Sequence, residues 1–286
     1  MKSLFNLTEG PETRITSDLV SKDILGMYFD SFTFAPNSKF SKGLPGFDLI
    51  RSNESLGKFK VTEVDCKGRM YYWKLQNKSK TFYFISKARM TGTWSRVKAR
   101  DWICEVTLTN ENESKKLYFN DLRHYGDLEV LTRSEFKKQY DIYGFDPLID
   151  DVDKYFPLVW KKSRGTKNCV SKFLLDHTSF YGIGLYLRSE ILHSLKYYPY
   201  QNVNTFSKNQ ILDLMKTAVK IAKESYANNG CVKLKYNEET FGGDYLGKLK
   251  VFGKPRDIDG NKVIITIGKN DKRSMFWCRD IQVRNE

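Results

Sequence analysis

The stretch NLTEGPETRI, residues 6–15, predicts how the folded chain begins. Pro11 suits the first helical position, because its ring fixes the backbone angle and its missing N–H would have no partner there anyway. Glu12 favours the same turn, where the helix dipole is positive. Gly26 follows Leu25 as a stop signal. We therefore expect a short helix near the start of the chain.

Strand patterns follow this helix. Residues 58–75, KFKVTEVDCKGRMYYWKL, alternate apolar and polar side chains on both sides of a turn at Lys67-Gly68. The segments KTFYFISKARM, DWICEVTLTN and SKKLYFND repeat the same β-branched and aromatic character. The first half of the chain is therefore expected to be mostly antiparallel β-structure.

The pattern becomes helical after residues 140–151, YDIYGFDPLIDD, whose Gly and Pro predict a linker. Ser207 and Gln210 form an S-x-x-Q capping box ahead of a helical apolar period. The last segment returns to a strand pattern with a turn at Asp259-Gly260, which predicts a β-hairpin. We expect one domain at residues 1–142, with an extension at 1–7, and a second at 147–286, with the hairpin at about 249–284.

The charge balance points to a polyanionic partner. The chain of 286 residues carries 48 Lys and Arg against 34 Asp and Glu, a formal charge of +14. An excess of this size attracts nucleic acid and speeds encounter with it. The alternative is that the excess lysine only keeps the protein soluble. No run of about 18 apolar residues occurs, so we expect a soluble, intracellular protein without a membrane span.

The five cysteines are widely spaced, and the sequence contains neither a C-x-x-C motif nor a matching histidine pair. This spacing argues against an ordinary zinc finger and suits a reducing compartment. Each thiol is expected to be a small core residue rather than a metal ligand. The sequence therefore predicts no metal site and no cofactor.

Several collinear segments resemble the formamidopyrimidine-DNA glycosylase and endonuclease VIII family. They are TEGPETR, LGKF, RMTGTW, NDLRHYGDL, LLDHTSFYGIGLYLRSEIL and DKRSMFWCRDIQ. The resemblance implies an α+β fold, with an N-terminal antiparallel β-sandwich and its flanking helix, then a helix-two-turns-helix domain with a C-terminal β-hairpin finger. Most bacterial members fold this finger around four cysteines. Only Cys278 lies in it here, so the resemblance implies a zincless finger.

The resemblance also implies catalytic residues. TEGPETR is similar to the family's N-terminal PEGPE run, which puts Thr8 at the first mature residue and Glu9 at the catalytic acid. In the family the α-amine of that first residue attacks C1′ of a damaged nucleotide and forms a Schiff base, while the carboxylic acid shuttles protons. Lys58 of LGKF would meet the phosphate beside the lesion, and Glu190 would help to orient the amine.

Four DNA-binding residues are implied by the two middle segments. Met90 of RMTGTW would fill the gap that the extruded nucleotide leaves in the duplex. Arg123 of NDLRHYGDL would take the hydrogen-bonding place of the base opposite the lesion, and Tyr125 would wedge between bases. His124 replaces a second arginine of the family pattern.

Two further segments imply phosphate contacts. Gly182 and Gly184 would open a helix whose N–H groups approach a phosphate, helped by the helix dipole. Arg273 matches the family's phosphate-contacting arginine near the end of the finger.

Two departures from the family pattern bear on catalysis. Thr8 replaces proline and follows seven residues, so its nitrogen lies in a peptide bond and cannot attack a sugar unless cleavage after Leu7 frees it. Leu185 stands where the family has an asparagine that binds the phosphates around the lesion. Both positions belong to the chemical centre, whereas the outer DNA-binding residues are retained.

Three functions therefore remain open. The first is a DNA glycosylase and abasic-site lyase, in which the Thr8 amine or, less efficiently, Lys58 forms the Schiff base. The second is a catalytically lapsed protein that binds damaged, abasic or distorted DNA, and the third is a homologue that docks on structured RNA. We expect a monomer whose leading partner is double-stranded DNA. It would act in the nucleus or another site of DNA replication, and a viral source would place it in a viral factory or virion.

Overall fold

The computed structural model of the protein describes residues 8–237, 240–268 and 273–284, with the backbone alone at 241. The extension expected at residues 1–7 lies outside the described residues. Within them the chain forms an eight-stranded sheet, two further two-stranded sheets and seven α-helices. The mixed α+β architecture predicted from the sequence is confirmed.

Helix α1 spans Gly10–Ile24 and confirms the helix predicted near the start of the chain. Pro11 occupies its second position rather than the first, and the carboxylate of Glu12 accepts a hydrogen bond from the N–H of Glu9 at 3.0 Å. The helix stops at the predicted place, because Gly26 follows with φ +88°, a left-handed conformation that glycine adopts without strain.

The large sheet is antiparallel and has the order β5-β7-β6-β1-β2-β3-β4-β8. β1 and β2 share a single register pair, Tyr28 with Lys60, so the sheet divides into two four-stranded halves that enclose a core. Trp73 and Trp94 meet in that core with ring centroids 4.7 Å apart. The strands are β1 (Tyr28–Phe34), β2 (Lys60–Lys67), β3 (Met70–Gln76), β4 (Thr81–Lys87), β5 (Thr93–Ser95), β6 (Trp102–Thr109), β7 (Ser114–Asn120) and β8 (Asp127–Thr132).

The second half of the chain is mainly helical, as predicted. The capping box of Ser207 and Gln210 is confirmed, with the Gln210 N–H donating to the Ser207 hydroxyl at 3.2 Å. In the part of the chain that the structure describes, none of the helices has both the length and the apolar character needed to cross a bilayer. The other helices are α2 (Asp48–Arg51), α3 (Arg133–Ile142), α4 (Val152–Arg164), α5 (Val170–Leu174), α6 (Leu185–Ser194) and α7 (Lys208–Ala227).

Two short sheets complete the fold. β9 (Lys233–Lys235) pairs with β10 (Thr240–Gly242), and β11 (Val263–Ile267) pairs with β12 (Ser274–Cys278) as the predicted terminal hairpin. The largest core gathers side chains from Phe145 onward, whereas the core of the eight-stranded sheet gathers those before it together with Tyr236. The boundary between 142 and 147 remains a prediction.

Candidate functional site

A cleft of about 500 Å³ opens where turns of the large sheet face the start of α6 and the terminal hairpin. Its wall carries four Lys and Arg side chains, two histidines and one tyrosine. Seven of the residues implied by the family resemblance or noted as departures from it line it: Glu9, Met90, His124, Tyr125, Gly184, Leu185 and Arg273. The remaining lining residues are Lys39, Arg69, Arg89, Asp127, Leu175 and His177.

The inner end of the cleft is formed by the carboxylate of Glu9 against the first turn of α6. Its oxygens accept hydrogen bonds from the N–H groups of Gly184 at 2.8 Å, Tyr186 at 2.9 Å and Leu187 at 3.2 Å. These are the donors that a helix N-terminus otherwise leaves unsatisfied. Glu9 is only 1% exposed and precedes α1, so it joins the start of one helix to the start of another.

Glu12 supports this arrangement from one turn further along α1. Besides the N–H of Glu9, its carboxylate accepts the N–H of Cys231 at 2.7 Å and the hydroxyl of Tyr186 at 3.2 Å. Its side chain is fully buried. The resemblance assigned no role to Glu12, although the E-x-x-E spacing in TEGPETR places both carboxylates in the first helical turn. We call Glu9, Glu12 and the first turn of α6 the floor of the cleft.

Burial decides the protonation of the floor. It is the largest cause that raises the pKa of Glu9, from 4.5 to about 8, and repulsion from Glu12 adds to it. The N–H groups of Tyr186 and Gly184 oppose the shift without cancelling it. Burial likewise raises the pKa of Glu12. Glu9 therefore holds its proton near neutral pH and can donate it to a leaving group.

The glycines at the start of α6 allow a close approach of the N-terminal segment. The N–H groups of the first turn are taken by Glu9, so they do not face a phosphate in this structure. A methyl group at Gly184 would collide with the Glu9 carboxylate. Gly182 has φ +99° and lies against Gly68 and Gly10, whose N–H donates to the Gly182 carbonyl at 2.8 Å. These glycines admit the N-terminal segment, and their contact with a phosphate stays a prediction.

The Thr8 nitrogen lies between the floor and the opposite wall. Thr8 is 3% exposed, and its N–H donates to the carbonyl of Met90 at 3.1 Å. The sulfur of Met90 in turn accepts from the Arg123 guanidinium at 3.3 Å. Met90 thus contacts both Thr8 and Arg123, which are far from it in sequence.

The loop at residues 121–126 is held in place by the buried carboxylate of Asp121. This carboxylate accepts from the Thr91 hydroxyl, from the Arg123 N–H at 3.2 Å and from the Gly126 N–H at 2.7 Å. His124 adopts a left-handed backbone with φ +55°. The side chains of the loop consequently point outward, and Tyr125 is 61% exposed. We call Met90 and the side chains of Arg123, His124 and Tyr125 the rim of the cleft.

Lys58 does not line the cleft with these residues, so its predicted phosphate contact is not supported by position and stays a prediction. It precedes β2, whose eight residues span roughly 23 Å, and the cleft is at the other end of that strand. The turn at the cleft end contains Arg69, whose guanidinium lies 3.3 Å from the Nε2 atom of His177. The sequence predicted this turn at Lys67-Gly68, but Arg69 was given no function.

Arg69 and His177 are neighbours in the cleft wall, and only Arg69 is charged. Burial, followed by the charge of Arg69, lowers the pKa of His177 to about 4. Since guanidinium can only donate, the neutral imidazole accepts at Nε2. The turn that carries Arg69 is fixed by the N–H of Gly68, which donates to the buried Asp146 at 2.6 Å. Arg69 is thereby positioned by both halves of the chain.

Glu190 is also placed differently from the prediction. It is buried on α6, where its carboxylate accepts the N–H groups of Lys250, Val251 and Phe252 at 2.8–3.0 Å. All its hydrogen bonds in the described part of the chain go to this segment, and none goes to Thr8. Glu190 therefore anchors the approach to the terminal hairpin, and its role in orienting the amine stays a prediction.

Among the described residues, one group of side chains could be considered for a metal. It consists of His193 on α6, Asp257 ahead of β11 and Cys278 on β12, whose ligand atoms lie within 4.8 Å of one another. Asp257 already accepts from His193 Nε2 at 2.9 Å, and from Asn261 through both its side chain and its N–H. Although burial opposes it, these hydrogen bonds hold the pKa of Asp257 below its usual value. Donors surround this carboxylate, an arrangement that favours a hydrogen-bonded anchor over a cation site. The absence of zinc stays a prediction.

Comparisons with known protein sequences found similar proteins that are formamidopyrimidine-DNA glycosylases. No protein-family model matches the chain. A formamidopyrimidine-DNA glycosylase of Prochlorococcus marinus (strain MIT 9215) is 27% identical over 287 residues, covering 96% of both chains. The enzyme of that name from Mycoplasma genitalium is 26% identical over 249 residues, covering 84% of this chain and 85% of its own.

Solved structures agree on the fold. The MutM (Fpg) protein from Thermus thermophilus superposes with a TM-score of 0.77 at 18% identity, over 97% of this chain and all of its own. A complex between the Lactococcus lactis Fpg and DNA containing an abasic site gives a TM-score of 0.77 at 19% identity, covering 96% of this chain and 100% of that one. The predicted fold class is confirmed on this basis.

Proposed function

We propose that the chain, which is similar to formamidopyrimidine-DNA glycosylases, belongs to that family and binds damaged or abasic double-stranded DNA in the cleft described above. We propose further that a chain beginning at Thr8 is a base-excision DNA glycosylase with abasic-site lyase activity. One observation carries the proposal: Glu9 lines the inner end of a basic cleft, and the N–H of the preceding Thr8 donates to the carbonyl of Met90 on its rim.

The charges of the cleft suit a polyanion. Its wall carries the cations Lys39, Arg69, Arg89 and Arg273, whereas the only carboxylates among the described residues that line it are Asp127 and the protonated Glu9. The formal charge of +14 for the whole chain adds a long-range attraction. Backbone phosphates supply most of the affinity in such complexes, and the exposed aromatic side chain of Tyr125 can stack on or between bases.

The proposed reaction uses the Thr8 nitrogen as a free amine. The neutral amine adds to C1′ of the nucleotide, and the base departs with its bonding electrons. The C1′–O4′ bond of the resulting aminal then opens, with O4′ taking up a proton, and gives an iminium. Loss of the C2′ proton from this iminium expels the 3′ phosphate. Glu9 can donate a proton to the sugar during this sequence, because burial raises its pKa to about 8. The contact between Thr8 and the Met90 carbonyl would hold the amine beside the gap left by the extruded nucleotide.

A second function, DNA binding without cleavage, is favoured by the chain as it stands. Residues 1–7 precede Thr8, so its nitrogen is an amide whose lone pair is delocalised. Leu185 lines the cleft where a polar side chain could have met a phosphate. Neither feature removes the rim or the cations of the cleft, so binding would survive the loss of chemistry. Residues 1–142 and 147–286 would be the two domains between which the duplex lies.

Borohydride trapping separates these functions. The full chain and a chain released from a cleavable fusion at Thr8 are incubated with a duplex that contains an abasic site, and any imine is reduced to a stable adduct. We expect an adduct only for the chain that begins at Thr8, and salt-dependent binding by both. No adduct from either chain would exclude the glycosylase and leave the DNA-binding function.

Binding itself needs an independent test, because the trapping result does not address it. Competition between duplex DNA and structured RNA of equal length for the full chain is expected to favour DNA. Failure of both chains to bind the duplex would reject the proposal, and preference for RNA would support docking on structured RNA instead.

A further inference from the structure

Arg89 has a backbone conformation that side chains rarely adopt. Its φ is +54°, in the left-handed region where the Cβ atom crowds the carbonyl oxygen. The residue lies just beyond β4 and precedes Met90 of the rim. A non-glycine residue in this conformation persists only when its surroundings fix it, and such residues occur preferentially at functional sites.

The backbone and the side chain of Arg89 are both held by other residues of the cleft. Its carbonyl accepts from the guanidinium of Arg69 at 3.0 Å. Its own guanidinium donates through Nε, at 3.0 Å, and through Nη2 to the same oxygen of Asp127. Lys39 donates to the other oxygen of Asp127 at 2.6 Å. Two cations therefore share one carboxylate, and the group keeps a net positive charge at the wall of the cleft.

Folding stability gives little reason to retain this arrangement. The Arg89 side chain is 50% exposed and that of Asp127 is 32% exposed, and ion pairs between groups so open to water contribute little to stability. The left-handed backbone opposes that small gain. A ligand is the better explanation, because a strained residue in a cleft is kept when binding depends on it.

We propose that Arg89 binds a backbone phosphate of the DNA, and that the Asp127 carboxylate occupies the place of a phosphate oxygen while the cleft is empty. This inference rests on the proposed DNA binding. A guanidinium fork meets a carboxylate oxygen and a phosphate oxygen in the same way. Exchange of one for the other leaves Asp127 paired with Lys39, so none of these three side chains is left without a counter-charge.

The test compares Arg89→Gln with Arg51→Gln, which removes the same charge from an exposed site on α2, outside the residues that line the cleft. Affinity is measured by fluorescence anisotropy across a salt series, for an undamaged duplex and for the same duplex with a tetrahydrofuran abasic analogue. Loss of one phosphate contact should reduce the magnitude of the slope of log affinity against log salt by about 0.9 on both duplexes. Near 0.15 M salt this corresponds to a loss of affinity of roughly fivefold. The control should match the parent.

A glycine variant separates binding from folding. Arg89→Gly relieves the left-handed strain, so we expect its thermal midpoint to be no lower than that of Arg89→Gln and its affinity to be reduced to the same degree. Binding is measured at a temperature at which circular dichroism shows both variants folded. Unchanged affinity and salt slope in the two variants would overturn the inference, and so would a loss confined to one duplex, which would indicate base reading.

Failure of this inference can be distinguished from failure of the proposed function. If the parent chain shows no salt-dependent binding to either duplex, the DNA-binding proposal fails and takes the inference with it. If the parent binds but the Arg89 variants bind equally well, only the role of Arg89 is rejected.

Discussion

The floor and the rim of the cleft lie next to each other but are stabilised in different ways. The carboxylates of Glu9 and Glu12 are almost fully buried, and each accepts three hydrogen bonds from other parts of the chain. On the rim, Tyr125 is 61% exposed and Arg123 lies open above the buried Asp121. The fold therefore depends on glutamates at the floor positions, whereas the side chains of the rim are available to a ligand. Mutations in the floor should therefore lower the stability of the fold, whereas mutations in the rim should weaken DNA binding.

The largest expected effect follows from removal of a floor carboxylate. Glu12→Ala leaves the N–H groups of Cys231 and Glu9 without acceptors and opens a cavity in a fully buried site. We expect it to lower the free energy of unfolding by about 4 kcal/mol, measured by urea denaturation. The exposed Glu54→Ala is the matched control and should change it by less than about 0.5 kcal/mol. Similar losses in the two variants would contradict the assignment of the floor as a structural element.

The second effect concerns pH. Unfolded Glu9 loses its proton near 4.5, whereas the folded protein keeps it until about 8. Between these values unfolding releases a proton, so the contribution of Glu9 to stability is greatest below 4.5 and falls as pH rises, by up to about 1.4 kcal/mol per pH unit. The raised pKa of Glu12 acts in the same direction. Thermal midpoints from pH 5 to about 8 measure the decline.

A variant identifies the group responsible for this decline. Glu9→Gln cannot titrate, so its midpoint should depend less on pH than that of the parent over the same interval. A parent whose stability is constant or rises across the interval would show that the Glu9 carboxylate is ionised in the folded floor.

The third effect is steric. A methyl group at Gly184 would collide with the Glu9 carboxylate, so Gly184→Ala should cost about 2 kcal/mol in the free energy of unfolding. Gly247→Ala is the control, because its methyl group would meet no atom within 4 Å. The φ of Gly184 is −124°, which any residue can adopt, so a loss at this position reports the close approach of Glu9 and not backbone strain. Equal stability in the two variants would show that the floor can move aside.

Much of the fold was predictable because it is encoded locally. The capping box of Ser207 and Gln210, the stop at Gly26 and the alternating strands depend on neighbours within a few residues, and the structure confirms each. The cleft was predictable in part, since Glu9, Met90 and Tyr125 were placed by short segments and all line it. These segments fix their side chains through the turns and helix starts on which they lie.

The missed residues depend on pairing between distant segments. Lys58 and Arg69 lie at opposite ends of β2, and the long-range contact of the turn at Gly68 with Asp146 decides which end faces the cleft. Glu190 could be assigned to the amine or to the hairpin until the path of residues 250–252 was known. The partners of Glu9 lie more than 170 residues away along the chain, beyond any local pattern.

The smallest effect on stability is expected at the rim, where the effect on binding should be clear. Tyr125→Ala removes an exposed ring, so the free energy of unfolding should change by less than about 0.5 kcal/mol. Binding to an abasic duplex should weaken by about 1–3 kcal/mol if the ring stacks on a base, measured by anisotropy titration. Leu122→Ala is the control, because this side chain lies on the same loop and is also 61% exposed, but it does not line the cleft. If the two variants bind the duplex equally well, the exposure of Tyr125 does not make it a DNA-binding residue. The difference between floor and rim would then concern folding stability only.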